Sequence, residues 1–97
     1  MSELVLISGS GRGLGASIAK SFINSGYMVA INYSKSKEKA EKLAQELGEN
    51  AHAFCADVSD MEQVKKMIKE IETKFDQSPS ILVNNAMTEY VFNGDER

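Results

Sequence analysis

Tryptophan is missing from this 97-residue chain, and it has only one proline, one histidine and one cysteine. With Cys55 alone, no intrachain disulfide can form. That excludes the small disulfide-held secreted scaffolds, and a reducing compartment is expected, with the cytoplasm as the default. No apolar run approaches the roughly 20 residues of a membrane span. Met1 to Leu6 carries Glu3 and passes at once into a strand pattern, so it reads as neither a signal nor a transit peptide. An excess of positive charge is lacking too. Eleven Lys and Arg against fourteen Asp and Glu leave a net charge of −3, which argues against a nucleic-acid or anionic-membrane partner. No internal repeat, low-complexity tract, domain linker or metal site is expected.

What is present reads as one soluble domain, 42% hydrophobic and 26% charged. A chain of this length buries only about 60–68% of its unfolded surface, so its stability margin is thin. Two periodicities alternate along it. Leu4 to Ile7 is an unbroken apolar run, the mark of a strand buried on both faces. Leu14, Ile18, Ala19, Phe22 and Ile23 then recur at helical spacing, and Gly26 stands where a C-cap glycine belongs. Met28 to Ile31 reads as a second strand. Ala40, Leu43, Ala44 and Leu47 mark a second helix, closed by Gly48. Ala51 to Cys55 is a weaker third strand. Ser59-Asp60-Met61-Glu62 spells a capping box, and Val64, Met67, Ile68, Ile71 and Phe75 form the stripe of a third helix. Pro79 breaks that helix before a fourth strand, Ile81 to Val83. Strands alternating with helices through short connections imply a parallel sheet with right-handed crossovers.

In such a sheet, ligands bind beyond the carboxyl ends of the strands. Four segments converge there: the glycine loop Gly9 to Gly15, then Asn32 to Lys35, Ala56-Asp57-Val58, and Asn84-Asn85-Ala86. Glycines at 9, 11, 13 and 15 let main-chain N–H groups approach a diphosphate, and the following helix adds its positive N-terminal end. Gly11-x-Gly13-x-x-Ala16 fits the general dinucleotide fingerprint. Gly9-x-x-x-Gly13-x-Gly15 is preferred, because it starts directly after the strand. No Gly-Lys-Ser/Thr follows, which excludes a Walker loop.

Ser8-Gly9-Ser10-Gly11-Arg12-Gly13-Leu14-Gly15 resembles the Thr-Gly-x-x-x-Gly-x-Gly turn of the short-chain dehydrogenase/reductase family. Asp57-Val58 is similar to that family's adenine-contacting pair, and Asn84-Asn85-Ala86 to its Asn-Asn-Ala-Gly motif, with Met87 in the place of the glycine. The resemblance runs over about residues 4 to 86, and within the family it points to the 3-oxoacyl-acyl-carrier-protein reductases and their relatives. It implies an α/β fold, a partial Rossmann-type doubly wound parallel sheet with four strands in the order 3-2-1-4. Residues 1–86 would be the dinucleotide-binding half-domain, and 87–97 a loop leading toward a C-terminal half.

The resemblance also implies an NADP(H)-dependent reduction of a carbonyl by hydride transfer. The cofactor-binding residues would be Gly9, Ser10, Gly11, Arg12, Gly13, Leu14, Gly15, Asn32, Tyr33, Ser34, Lys35, Asp57, Val58, Asn85 and Ala86. A small carbonyl or acyl-carrier-linked substrate and a homo-oligomer, dimer or tetramer, are expected of the parent enzyme. The family's catalytic serine and Tyr-x-x-x-Lys pair lie downstream of the Asn-Asn-Ala motif, so no catalytic residue and no turnover are expected of these residues alone. Tyr33 and Lys37 match that spelling only by coincidence, at the adenosine end.

NADP is preferred over NAD because no carboxylate follows the second strand until Glu38, whereas Arg12, Lys35, Lys37, Lys39 and Lys42 are near. The plainer reading of those lysines is a solvated helix face with a Glu38–Lys42 pair. His52 is expected to be structural, Cys55 a small buried apolar residue, and Asp57 either an adenine contact or a cap for the next helix. Ile81 to Val83, apolar yet at a sheet edge, would invite pairing, as in a piece of a longer chain or one awaiting a partner's strands. A stand-alone nucleotide-binding or regulatory module and an interaction scaffold are the alternatives.

Overall fold

The computed structural model of the chain describes residues 3–9 and 13–84. The sheet grows around β1 (Leu4–Ser8), whose five residues are all buried. Parallel pairing sets β2 (Met28–Tyr33) on one side of it and β4 (Ile81–Asn84) on the other, with β3 (Ala51–Cys55) beyond β2. The order is therefore β3-β2-β1-β4, as the motif order implies. Adjacent residues of β1 point to opposite faces, and the two faces have different covers. Val5 and Ile7 pack with Val29, Ile31 and the helix residues Ala19, Ala40 and Ala44. These come from α1 (Gly13–Asn24) and α2 (Lys37–Leu47). Leu4 and Leu6 pack with Ala30, Phe54, Met67 and Ile71, the last two from α3 (Met61–Phe75). Two covered faces explain why β1 is an apolar run with no alternation.

Helix ends are set by local chemistry. At the end of α1, the Tyr27 N–H donates to the Phe22 carbonyl and the Gly26 N–H to the Ile23 carbonyl, both at 3.0 Å. This is a Schellman turn, and Gly26 takes the φ of 91° that it needs. The Phe22 and Tyr27 rings close it edge-on at 5.0 Å.

Three expectations change. First, β2 runs two residues further than its apolar run, because β3 pairs with it as far as Asn32↔Phe54 and Tyr33↔Cys55. Second, the α3 cap is Asp60 rather than Ser59: the Asp60 carboxylate accepts from the Glu62 and Gln63 N–H groups. Ser59 turns back to Asp57 instead. Third, Cys55 is exposed, not buried. It ends β3, an outer strand of the described sheet, with its Sγ 4.0 Å from the carbonyl of exposed Ser34 at the β2–α2 bend.

Candidate cofactor-binding site

Parallel register aligns the carboxyl ends of the strands along one edge of the sheet, with Ser8 opposite Asn84 and Tyr33 opposite Cys55. Gly9 leaves β1 at φ 66°, in the left-handed region, and α1 starts at Gly13. The main chain of Gly13, Leu14 and Gly15 thus forms the first turn of α1, whose free N–H groups and dipole favour an anion. Ser8, in the threonine place of the turn, is 4% exposed, and its hydroxyl lies 3.5 Å from the Val83 carbonyl, tying the β1 and β4 tips together. Ser10, Gly11, Arg12, Asn85, Ala86 and Met87, with the rest of the 87–97 segment, lie outside the described residues.

At the β2 tip the four expected contacts divide. Asn32 is 3% exposed and faces the α3 layer: its Nδ2 donates to the Ala56 carbonyl at 3.0 Å and lies 3.4 Å from Met67 Sδ. Its amide hydrogen bonds are spent inside the fold, holding β2 to the exit of β3. Tyr33 is half-buried against the α1–α2 layer. Burial, then the neighbouring Cys55 thiol and the Glu41 carboxylate, push its phenol above the usual range. Ser34 and Lys35 are exposed at the bend between β2 and α2. Tyr33 and Lys37 thus sit on β2 and at the first position of α2, so their catalytic spelling carries no catalytic geometry.

Asp57 follows β3 and is held by its neighbours. Its Oδ1 accepts from the Ser59 hydroxyl at 2.6 Å and from the Ser59 N–H at 3.0 Å. These two bonds, with the positive charge of Lys35, hold the carboxyl below its usual range. Its carbonyl accepts from the Asp60 N–H at 2.9 Å. Its own N–H donates to Gln63 Oε1 at 2.9 Å. Oδ2 takes none of these bonds. Asp57 is therefore an exposed, anionic acceptor on a fixed turn, with half-buried Val58 beside it and Lys35 across from it. Asp60, not Asp57, caps α3. Gln63 was not among the expected site residues. Its signal, an Asp followed three residues later by Gln, lies one residue past the Ser59–Glu62 spelling.

Two other features lie away from this edge. His52 packs edge-on against Phe75 at 5.3 Å, a structural placement. A groove of about 630 Å³ lined by Glu41, Ala44, Gln45, His52 and Lys74 runs between α2 and β3 and reaches Gly48 at the amino end of β3. Among the described residues no set of His, Cys, Asp or Glu is grouped to hold a metal ion. None of the described helices is long and apolar enough to cross a membrane.

Comparison with known proteins agrees with this geometry. The sequence profile described as short chain dehydrogenase matches residues 3–94. The 3-oxoacyl-(acyl-carrier-protein) reductase FabG of Staphylococcus aureus strain Mu50 is 45% identical over 89 residues, which cover 89% of this chain and 36% of that protein. A probable tetrahydroxynaphthalene reductase of Zymoseptoria tritici is 33% identical, covering 91% of this chain and 34% of its own. Among solved structures, the 3-ketoacyl-(acyl-carrier-protein) reductase of Brucella melitensis complexed with NADH superposes with a TM-score of 0.76 at 35% identity. It covers 82% of this chain and 32% of that one. The chain thus spans about a third of the length of the relatives it matches.

Proposed function

The chain belongs to the short-chain dehydrogenase family, and from that premise we propose that it is the coenzyme-binding part of an NADP(H)-dependent oxidoreductase that reduces a carbonyl. An acyl-carrier-linked ketone is the substrate class this reading takes from its relatives, with a dimeric or tetrameric parent enzyme in the cytoplasm. The observation that carries it is the alignment of Gly9, Lys35 and Asp57 at the tips of three adjacent parallel strands, beside the start of α1.

The residues fit a dinucleotide. Main-chain N–H groups between Gly9 and Gly15, including Ser10, Gly11, Gly13 and Leu14, would take the pyrophosphate. Arg12, Ser34 and Lys35, beside Tyr33, would take a 2′-phosphate. The Asp57 carboxylate would accept from the adenine amino group while Val58 offers a main-chain donor to the ring. Asn85 and Ala86, with Asn32 supporting from within, belong to the nicotinamide side and the framework. The bound cofactor supplies the hydride; a positioned acid must supply the proton. The serine and Tyr-x-x-x-Lys pair that supply it in the resembling family are expected downstream of the Asn-Asn-Ala segment, so the chain by itself is expected to bind without turning over.

Calorimetric titration of the chain with NADPH, NADH and ATP tests this. NADPH is expected to bind tightest, and Lys35→Glu to weaken NADPH by about tenfold or more, the scale of one charged hydrogen bond, while leaving NADH nearly unchanged. Equal affinity for NADPH and NADH would sink the cofactor assignment, and measurable carbonyl reduction by the chain would sink the expectation of inactivity.

A further inference from the structure

We propose that Gln63, on the first turn of α3, is the positioning residue that gives the site its preference for adenine. This rests on the reading of Asp57 as the adenine contact.

Gln63 is exposed, yet both ends of its amide are engaged. Nε2 donates to Asp60 Oδ2 at 3.1 Å, and Oε1 accepts from the Asp57 N–H at 2.9 Å. Its own N–H is 3.4 Å from Asp60 Oδ1. In an ordinary capping box, the side chain three residues into the helix accepts from the N–H of the cap residue itself. Here the Asp60 N–H is already bonded to the Asp57 carbonyl, and the Gln63 oxygen reaches back three residues further, to Asp57.

The consequence is geometric. Asp57 is bonded at its N–H by Gln63, at its carbonyl by Asp60 and at Oδ1 by Ser59. Of these holds, only the Gln63 bond ties the amino side of the residue to the helix. The Ser59 and Asp60 bonds close a four-residue turn, and Ala56 before it is tied to β2 through its N–H to the Tyr33 carbonyl and its carbonyl to Asn32 Nδ2. The Gln63 bond adds the link from the Asp57 N–H to α3, so that the residue is fixed between β2 and the helix and Oδ2 is aimed in one direction relative to the sheet edge. A carboxylate that discriminates a purine amino group from a carbonyl must be held in place, because a mobile one rotates away from a mismatched partner and forfeits the penalty.

The readout is the ratio of affinities for NADP⁺ and its hypoxanthine analogue, which carries a carbonyl oxygen where adenine carries the amino group. A residue that merely supports the fold changes both affinities alike and leaves the ratio untouched. By titration calorimetry the unaltered chain is expected to favour adenine by about tenfold, the scale of one hydrogen bond lost and one acceptor left facing a carboxylate. Gln63→Leu removes both amide bonds and is expected to bring the ratio below about threefold. Gln63→Glu keeps an acceptor for the Asp57 N–H but sets a carboxylate against Asp60 Oδ2 in place of the donor, and is expected to retain part of the preference, above that of Gln63→Leu. An unchanged ratio in Gln63→Leu, with circular dichroism showing a folded chain, overturns the inference while leaving the NADP assignment standing. So does a Gln63→Glu variant as unselective as Gln63→Leu. An unaltered chain that binds both dinucleotides equally removes Asp57 as the adenine contact, and one that binds neither removes the cofactor assignment; the inference falls in either case.

Discussion

Replacing Asn32 by leucine separates a framework residue from a ligand contact. Asn32 is 3% exposed, and its Nδ2 is the donor to the Ala56 carbonyl at 3.0 Å, on a residue that is itself fully buried. Leucine has nearly the same volume, so little cavity forms and the main loss is chemical. The Ala56 carbonyl is left without that donor in an apolar layer, at a cost of about 1–3 kcal/mol. The leucine methyl groups, set against Met67, return part of it. A net loss of about 1–2 kcal/mol is a large fraction of the 5–15 kcal/mol typical of a whole domain. At roughly 4–8 °C per kcal/mol for a chain of this size, Tm falls by about 4–16 °C. Urea unfolding followed by circular dichroism should show a lower midpoint at an unchanged slope. NADP⁺ affinity, measured where the variant is fully folded, should stay within about twofold. The reverse pattern, an unmoved midpoint with lost affinity, would refute the assignment of this amide to the framework.

Two more expectations follow from burial and charge. Burial, then the nearby Lys74 ammonium, lower the pKa of His52 from its ordinary 6.5, so the folded chain binds fewer protons there than the unfolded chain. That contribution to stability is complete above pH 6.5 and is lost as pH falls below it toward the folded pKa. The urea midpoint should therefore fall between pH 7.5 and 5.5, and His52→Phe should flatten that fall; an equal fall in both proteins would refute it. Leu82 is 61% exposed on β4, on the same sheet face as Leu6, so Leu82→Lys should reduce concentration-dependent association seen by light scattering. Unchanged scattering would place the association elsewhere.

The order of elements was legible because each carries its own period. The run Leu4 to Ile7 and the stripe from Val64 to Phe75 depend on which faces are covered, and a single sequence displays that directly. The length of β2 was not legible, since Asn32 and Tyr33 join the strand only through their partners Phe54 and Cys55, more than twenty residues away. The exposure of Cys55 likewise depends on its place at the end of an outer strand, not on the cysteine. The cap was misplaced by one residue because Ser59, Asp60, Glu62 and Gln63 offer two overlapping boxes. The choice between them came from Asp57, which takes both Ser59 donors on one oxygen and leaves Asp60 to the helix.

That same competition accounts for how the sheet edge is built. Polar residues at the strand tips are too many for all to face a ligand, and those with a nearby main-chain partner are drawn into the fold. Asn32 is drawn in by the Ala56 carbonyl, and Ser8 lies against the Val83 carbonyl. Asp57 is taken only on one side: the Ser59 hydroxyl and N–H occupy Oδ1 and hold the carboxyl below its usual range, with Lys35 adding to the shift. Lys35 itself is exposed at the bend. The strand tips thus divide their labour: the buried Asn32 amide and Ser8 hydroxyl tie neighbouring tips together. The exposed charges left over, one negative and one positive at neighbouring tips, are the two that the proposed reading assigns to the amino group of a purine and the phosphate of a ribose.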